Sequence, residues 1–388
     1  MKIILTTGTA LGAAAIACTA VAQQAPKPKI EAVYWLSAET TSGMATGQPN
    51  GVEKNLTLQL GSSRSQPAPS AAHLPPQALK AGDRLPLITP KGVAEKPDAP
   101  TDFRPGMGDG PKGRIELYWG CGEAAPAGQP FVVDLSKIRP GGPSPFGAVP
   151  QVNAMTSPSQ GRHATYGEWP NGRKGTRVPR DASLAGAHVV QGNYAPEMRF
   201  TIGNGADFLG PLTPKHSAQS SGAVLVSWPA LANARGTILT VVAAREDGTT
   251  VMWSSSAVRM PGMSLPDYLA EGEAARLVQQ RILLAPQTTQ CAVPAAVAKA
   301  SESAMLMMTT YGAEANYGSP KDAPQGWAVK LRTKATHMSM LGVDIAAMMR
   351  GDADDADSPD PAPEEEARPK KKRGLLRGVI GGALGIPG

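Results

Sequence analysis

Aromatic residues make up only 5% of this 388-residue chain, and cysteine occurs three times. Such a shortage, beside 43 glycines and 37 prolines, argues against one continuous globule and for strands, turns and long irregular connections. No apolar run beyond Ala22 reaches the roughly 20 residues that a membrane-spanning helix needs. The five histidines, His73, His163, His188, His216 and His337, include no two at metal-ligand spacing, and no cysteine lies in a C-x-x-C. A G-x-S-x-G elbow, a P-loop and a dinucleotide fingerprint between strand and helix are also missing. No metal or cofactor is therefore expected, although a catalytic site assembled from distant positions stays open.

What is present begins with an amino end built for export. Lys2 supplies a thin positive start, Ile3 to Leu5 and Ala10 to Ala17 an apolar stretch, and Ala20-Val21-Ala22 a cleavage-like end, so residues 1–22 are expected to be a signal peptide. Ala15-Ile16-Ala17-Cys18 also resembles a lipobox, and lipidation at Cys18 would tether the protein to a membrane. The expected location is periplasmic or secreted, with a membrane-tethered lipoprotein as the alternative. Export leaves Cys121 and Cys291 as the mature cysteines in an oxidising compartment, where they either pair or stay buried as small apolar groups. Cys121 lies between Gly120 and Gly122 at a strand end, and it would serve as a nucleophile only if folding supplied a base.

The clearest strand signal runs from Val224 to Val258. Val224, Val226 and Trp228 alternate with Leu225 and Ser227, and Thr237 to Ala244 is rich in β-branched residues. Asp247-Gly248 then supplies the positive φ angles of a hairpin, after which Val251 and Trp253 resume the alternation. The segment Trp228-Pro229-Ala230-Leu231, followed by Ala234-Arg235-Gly236 and a β run, resembles the early strands of fibronectin type III and related immunoglobulin-like domains. The resemblance covers about 35 residues and implies a β-sandwich that seals Trp228 and Trp253 between sheets. It implies no activity, because such sandwiches host many functions.

Strands are also expected at Ile30 to Ala38, Asn55 to Leu60, Arg114 to Trp119, Phe131 to Leu135, Met198 to Ile202 (beside the central hairpin) and Trp327 to Leu331. The Pro-, Ala- and Gly-rich stretches 62–113 and 139–182 read as irregular insertions, the first with a short edge strand at Arg84 to Ile88. Ser264-Leu265-Pro266-Asp267 looks like a capped start for a helix over Tyr268 to Leu284. The expected organisation is a mainly β chain. A β-sandwich spans 30–260, a smaller α+β or β domain 262–346, and a disordered tail 347–388.

Charge is modestly basic, formally +6. Arg162, His163, Arg173, Lys174, Arg177 and Arg180 surround Tyr166 and Trp169, a composition that can bind nucleic acid or glycan. A solvated loop is the expectation there, and nucleic acid is not an expected partner. The tail runs from an acidic stretch, Asp352 to Glu366, into Lys370, Lys371, Lys372 and Arg373, then Leu375, Leu376, Val379 and Ile380. Four adjacent cations before apolar side chains suit an anionic membrane surface. These features point to an exported, non-catalytic module that binds or scaffolds an envelope protein or polymer. The alternatives are an envelope hydrolase with a dispersed site, and a protein held at a membrane surface by its tail.

Overall fold

Tyr34, Leu36 and Ala38 are sealed from solvent, whereas Val33, Trp35 and Glu39 are half-buried, with Ser37 covered on the other face. This two-residue period marks a strand with one covered face, and it recurs through the chain. The computed structural model describes residues 29–90, 113–137, 145–171 and 178–342. Among these the strands are, in chain order, β1 (Ile30–Gly43), β2 (Val52–Ser62), β3 (Ala71–Leu74), β4 (Leu85–Leu87), β5 (Arg114–Trp119), β6 (Phe131–Asp134), β7 (Thr165–Trp169) and β8 (Gly186–Gly192). There follow β9 (Met198–Ile202), β10 (Lys215–Ala218), β11 (Val224–Ser227), β12 (Ala234–Ala244), β13 (Thr250–Ser254), β14 (Gln290–Val293), β15 (Met305–Gly318) and β16 (Gly326–Met340). Two short helices, α1 (Glu271–Gln279) and α2 (Ala295–Ala298), complete the set.

The chain is thus mainly β, with several sheets. Nine strands form one large sheet in the order β6-β5-β13-β12-β15-β16-β1-β2-β7. Within it β1 pairs β16, and β5 pairs β13, in parallel. A four-stranded antiparallel sheet (β4-β3-β8-β9) and a three-stranded one (β10-β11-β14) pack side by side against the same face. Under the first, Tyr34, Leu36, Leu58, Leu60 and Leu331 meet Leu85, Leu87, Val190 and Phe200. Under the second, Leu239, Val241, Trp253 and Leu306 meet Val224, Val226, Trp228 and Val293.

The central hairpin forms between β12 and β13, turning at Asp247-Gly248 with Gly248 at φ +81°. Asp247 fixes the turn by accepting a hydrogen bond from the Thr249 amide at 2.9 Å. Between Trp228 and Ala234 the chain crosses from the three-stranded sheet to the large one, so the two strands of the resemblance lie in opposing layers.

Other expectations need correction. The segment 262–346 contributes β15 and β16 to the middle of the large sheet, between β12 and β1, rather than a sheet of its own. Residues 71–87, expected to be irregular apart from one edge strand, supply both β3 and the edge strand β4, and bury Ala71, Leu79 and Leu85. That stretch is too poor in apolar surface to order alone, and the large sheet provides what it lacks. β7 arises inside the second insertion and closes one edge of the large sheet. β9 pairs with β8, away from the central hairpin. The helix starts at Glu271 and ends at Gln279, without a side-chain cap; Ser264 instead belongs to a 3-10 turn, its hydroxyl donating to Pro261 O at 2.6 Å. Leu269 and Leu277 are buried against Ile238 and Tyr311 on the far side of the large sheet, while Leu284 is half-buried.

Candidate functional site

The covered face of the large sheet is apolar, and the opposite face of β16, β1 and β2 is polar. Along β16, Leu331, Thr333 and Ala335 point into the core, so Lys330, Arg332, Lys334 and Thr336 share the other side. Register extends these positions into rows. Lys330 lies beside Trp35 and Gln59, Arg332 beside Ser37 and Thr57, and Lys334 beside Glu39 and Asn55. The result is a grid of cations, amides, hydroxyls and a carboxylate around one half-buried tryptophan.

Aromatic rings and carboxylates hold the cations in place. The Arg332 guanidinium lies 4.8 Å from the Trp35 ring centre and 4.3 Å from that of Tyr268, and its Nε donates to Ser37 Oγ at 2.7 Å. Cation–π contacts of this kind contribute roughly 0.5–2 kcal/mol each, more as water is excluded. Lys330 pairs with Glu314 and stands 5.8 Å from the Trp35 ring. Lys334 reaches Asp267 Oδ1 at 3.2 Å and Glu39 Oε1 at 3.4 Å, with Thr336 Oγ1 donating to the same Glu39 oxygen at 2.9 Å. Burial pulls the Lys334 pKa down, but Tyr268, Glu39 and Asp267 outweigh it and the net shift is upward. Lys334 is therefore a permanent cation, not a base.

Beside Lys334 a cleft of about 160 Å³ opens between β12, β15, β16 and the turn at 262–267, lined by Thr240, Thr309, Thr336, Tyr311 and Met307. Small-molecule pockets usually run from about 300 to 1,000 Å³, so this one admits a single small group of a larger ligand. Tyr311 does not offer its hydroxyl, which donates to Pro266 O at 2.9 Å.

A second polar cluster lies inside the core. Leu184 O can only accept, so His188 donates to it from Nε2 at 2.7 Å. His188 Nδ1 then accepts from His73 Nε2 at 2.9 Å, and His73 Nδ1 accepts from the Tyr34 hydroxyl at 2.5 Å. Phe200 stacks on His188 with ring centres 5.1 Å apart. Burial, and then the nearby His188, lower the His73 pKa to about 3; burial also lowers that of His188 and raises that of Tyr34 well above its usual value. The chain of bonds is neutral, enclosed and fully used, which makes it part of the packing.

The sequence expectations fare unevenly. Cys121 and Cys291 form a disulfide with Cα atoms 5.2 Å apart, tying the end of β5 to β14, so Cys121 is no nucleophile. Tyr166 and Trp169 are buried and offer no platform; Arg162 and Arg180 are exposed, while Arg173, Lys174 and Arg177 lie outside the described residues. Cys18 and the tail residues Lys370 to Ile380 also lie outside them. Among the described residues no group of three or more His, Cys, Asp or Glu side chains could hold a metal, and no helix is long and apolar enough to cross a membrane. The polar grid went unnoticed because its members are scattered over residues 35–336; its one local signal was Lys330 and Arg332 alternating with Val329 and Leu331. No protein-family model, curated protein or solved structure matches the chain.

Proposed function

We propose that this chain is an exported, non-catalytic envelope module that binds a polar polymer, in the first instance a glycan, across the open face of its large sheet. The observation that carries the reading is the grid around Trp35: an aromatic ring flanked by Arg332, Lys330 and Gln59, held in fixed positions on adjacent strands. A sugar ring stacks on such an indole while the neighbouring donors take its hydroxyls and carboxylates. Rigid strands keep these groups in place, so little ordering cost falls on binding. Export is supported by the signal-like residues 1–22 and by the Cys121–Cys291 bond, which suits an oxidising compartment. We read the scaffold as immunoglobulin-like in sealing Trp228 and Trp253 between layers, with a strand order of its own.

Co-sedimentation with insoluble peptidoglycan tests the proposal. The protein pellets with the polymer, and Trp35→Ala weakens retention about tenfold, equivalent to roughly 1.4 kcal/mol, while the folding transition is kept. No pelleting, or equal retention of the variant, would sink it. Release of new reducing ends during incubation would favour the hydrolase alternative.

A further inference from the structure

The open face changes character at the far ends of β15 and β16. Met305 pairs with Met340, and Met307 with Met338, in the antiparallel register. Directly opposed residues send their side chains to the same face with Cβ atoms about 4.5–5.5 Å apart, and residues two apart along a strand share that face. The four methionines therefore form a two-by-two block. All four are half-buried, whereas Leu306 and Met308, which alternate with Met305 and Met307 along β15, point to the core and are sealed. Met307 also lines the cleft, where half-buried Met263 supplies a fifth thioether from the turn opposite.

Half-exposed strand positions ordinarily favour β-branched residues, as at Thr309 and Thr336 on the same face. Four unbranched thioethers here gain little from strand propensity, and they do not fill a closed core. What they share is a soft, neutral sulfur on a side chain with three rotatable bonds, able to converge on a common point. Thioether sulfur selects soft ions such as Cu(I) over hard divalent cations. The rest of the cleft wall is apolar (Ile238, Leu265, Pro266) or hydroxyl-bearing (Thr240, Thr309, Thr336), and its one carboxylate, Asp267, is paired with Lys334. Both mature cysteines are locked in a disulfide, so no thiol competes.

We propose that Met305, Met307, Met338 and Met340, with Met263 at the rim, form a binding site for a soft monovalent metal ion, Cu(I) or Ag(I). Ligation by thioethers releases no proton, so affinity stays level with pH where a histidine or thiolate site would weaken on acidification. No electron changes hands, since the ion is bound as supplied.

The test is an anaerobic titration of the protein spanning residues 23–388 with Cu(I), in competition with a chromophoric Cu(I) chelator. It is run on the wild type, Met307→Leu/Met338→Leu and Met155→Leu/Met198→Leu, the last pair lying away from the block. Leucine conserves volume, so the first pair keeps the fold, which the thermal transition verifies. The expected result is one retained Cu(I) per chain, at least a hundredfold weaker binding in Met307→Leu/Met338→Leu, and no change in the control pair. X-ray absorption of the loaded protein should show sulfur neighbours alone. Failure to retain Cu(I) against the chelator, or equal retention by the folded Met307→Leu/Met338→Leu variant, overturns the proposal.

Discussion

The two faces of the large sheet are drawn from the same strands, one residue out of step, and they treat polarity in opposite ways. On the covered face Tyr34 bonds to His73 and His188 of the four-stranded sheet in one neutral, end-to-end chain. On the open face Lys330, Arg332 and Lys334 keep their charge, each set against a carboxylate, a hydroxyl or an aromatic ring. The difference follows from pairing. An unpaired charge between two sheets costs several kcal/mol, whereas Arg332 and Lys334, themselves buried, are matched by carboxylates, a hydroxyl and aromatic rings. The covered side thus holds the fold together.

The largest effect should separate the faces by their tryptophans. Trp253→Ala removes a ring with no exposed surface and is expected to cost about 3–5 kcal/mol. Trp35→Ala, on the open side, should cost about 1 kcal/mol or less, chiefly its contacts with Arg332 and Lys330. Urea unfolding of both variants compares them directly, and equal losses would erase the distinction.

Next comes the bond that clamps the three-stranded sheet onto the large one. Cys121 and Cys291 are separated by 170 residues, so Cys121→Ser/Cys291→Ser should lower stability by about 2–5 kcal/mol under oxidising conditions. The wild type with reductant should fall to the same level. A double variant as stable as the oxidised wild type would mean that packing of the two layers needs no tie.

The smallest effect concerns protons. His73 has a folded pKa of about 3, below its unfolded value of about 6.5, so the unfolded state binds more protons between those limits. Stability is full above pH 6.5 and falls with acid, by up to about 1.4 kcal/mol per pH unit for each such histidine. His337, lowered to about 4 by burial and the neighbouring His216, acts in the same direction. Unfolding free energies measured from pH 6.5 to 5, above the carboxylate range, should show this slope, and His73→Phe should reduce it. Lys334 is a cation throughout that window and adds nothing to the slope. An unchanged slope in His73→Phe would place the proton uptake elsewhere.

Local pattern made much of the architecture legible. Alternation at Val224 to Trp228 and Trp327 to Leu331 marked strands because a half-covered sheet imposes a period of two. The glycine of Asp247-Gly248 marked its turn through φ alone. Composition misled at residues 71–87, where few apolar side chains suffice once a larger sheet lies beneath them. Ser264 misled in another way: a capping pattern carries no information about the Pro261 carbonyl that takes its hydroxyl.

The sequence by itself determined that this chain is built of strands, where the central hairpin turns, and which residues prefer the interior. Those properties depend on neighbours one to four positions away. Only the tertiary structure decided that β16 lies parallel to β1, that His73 meets His188 across 115 residues, and that Trp35, Arg332 and the paired methionines share one face. Strand order and partner choice are set by which surfaces bury one another best, a property of the whole assembly that no short window of residues contains.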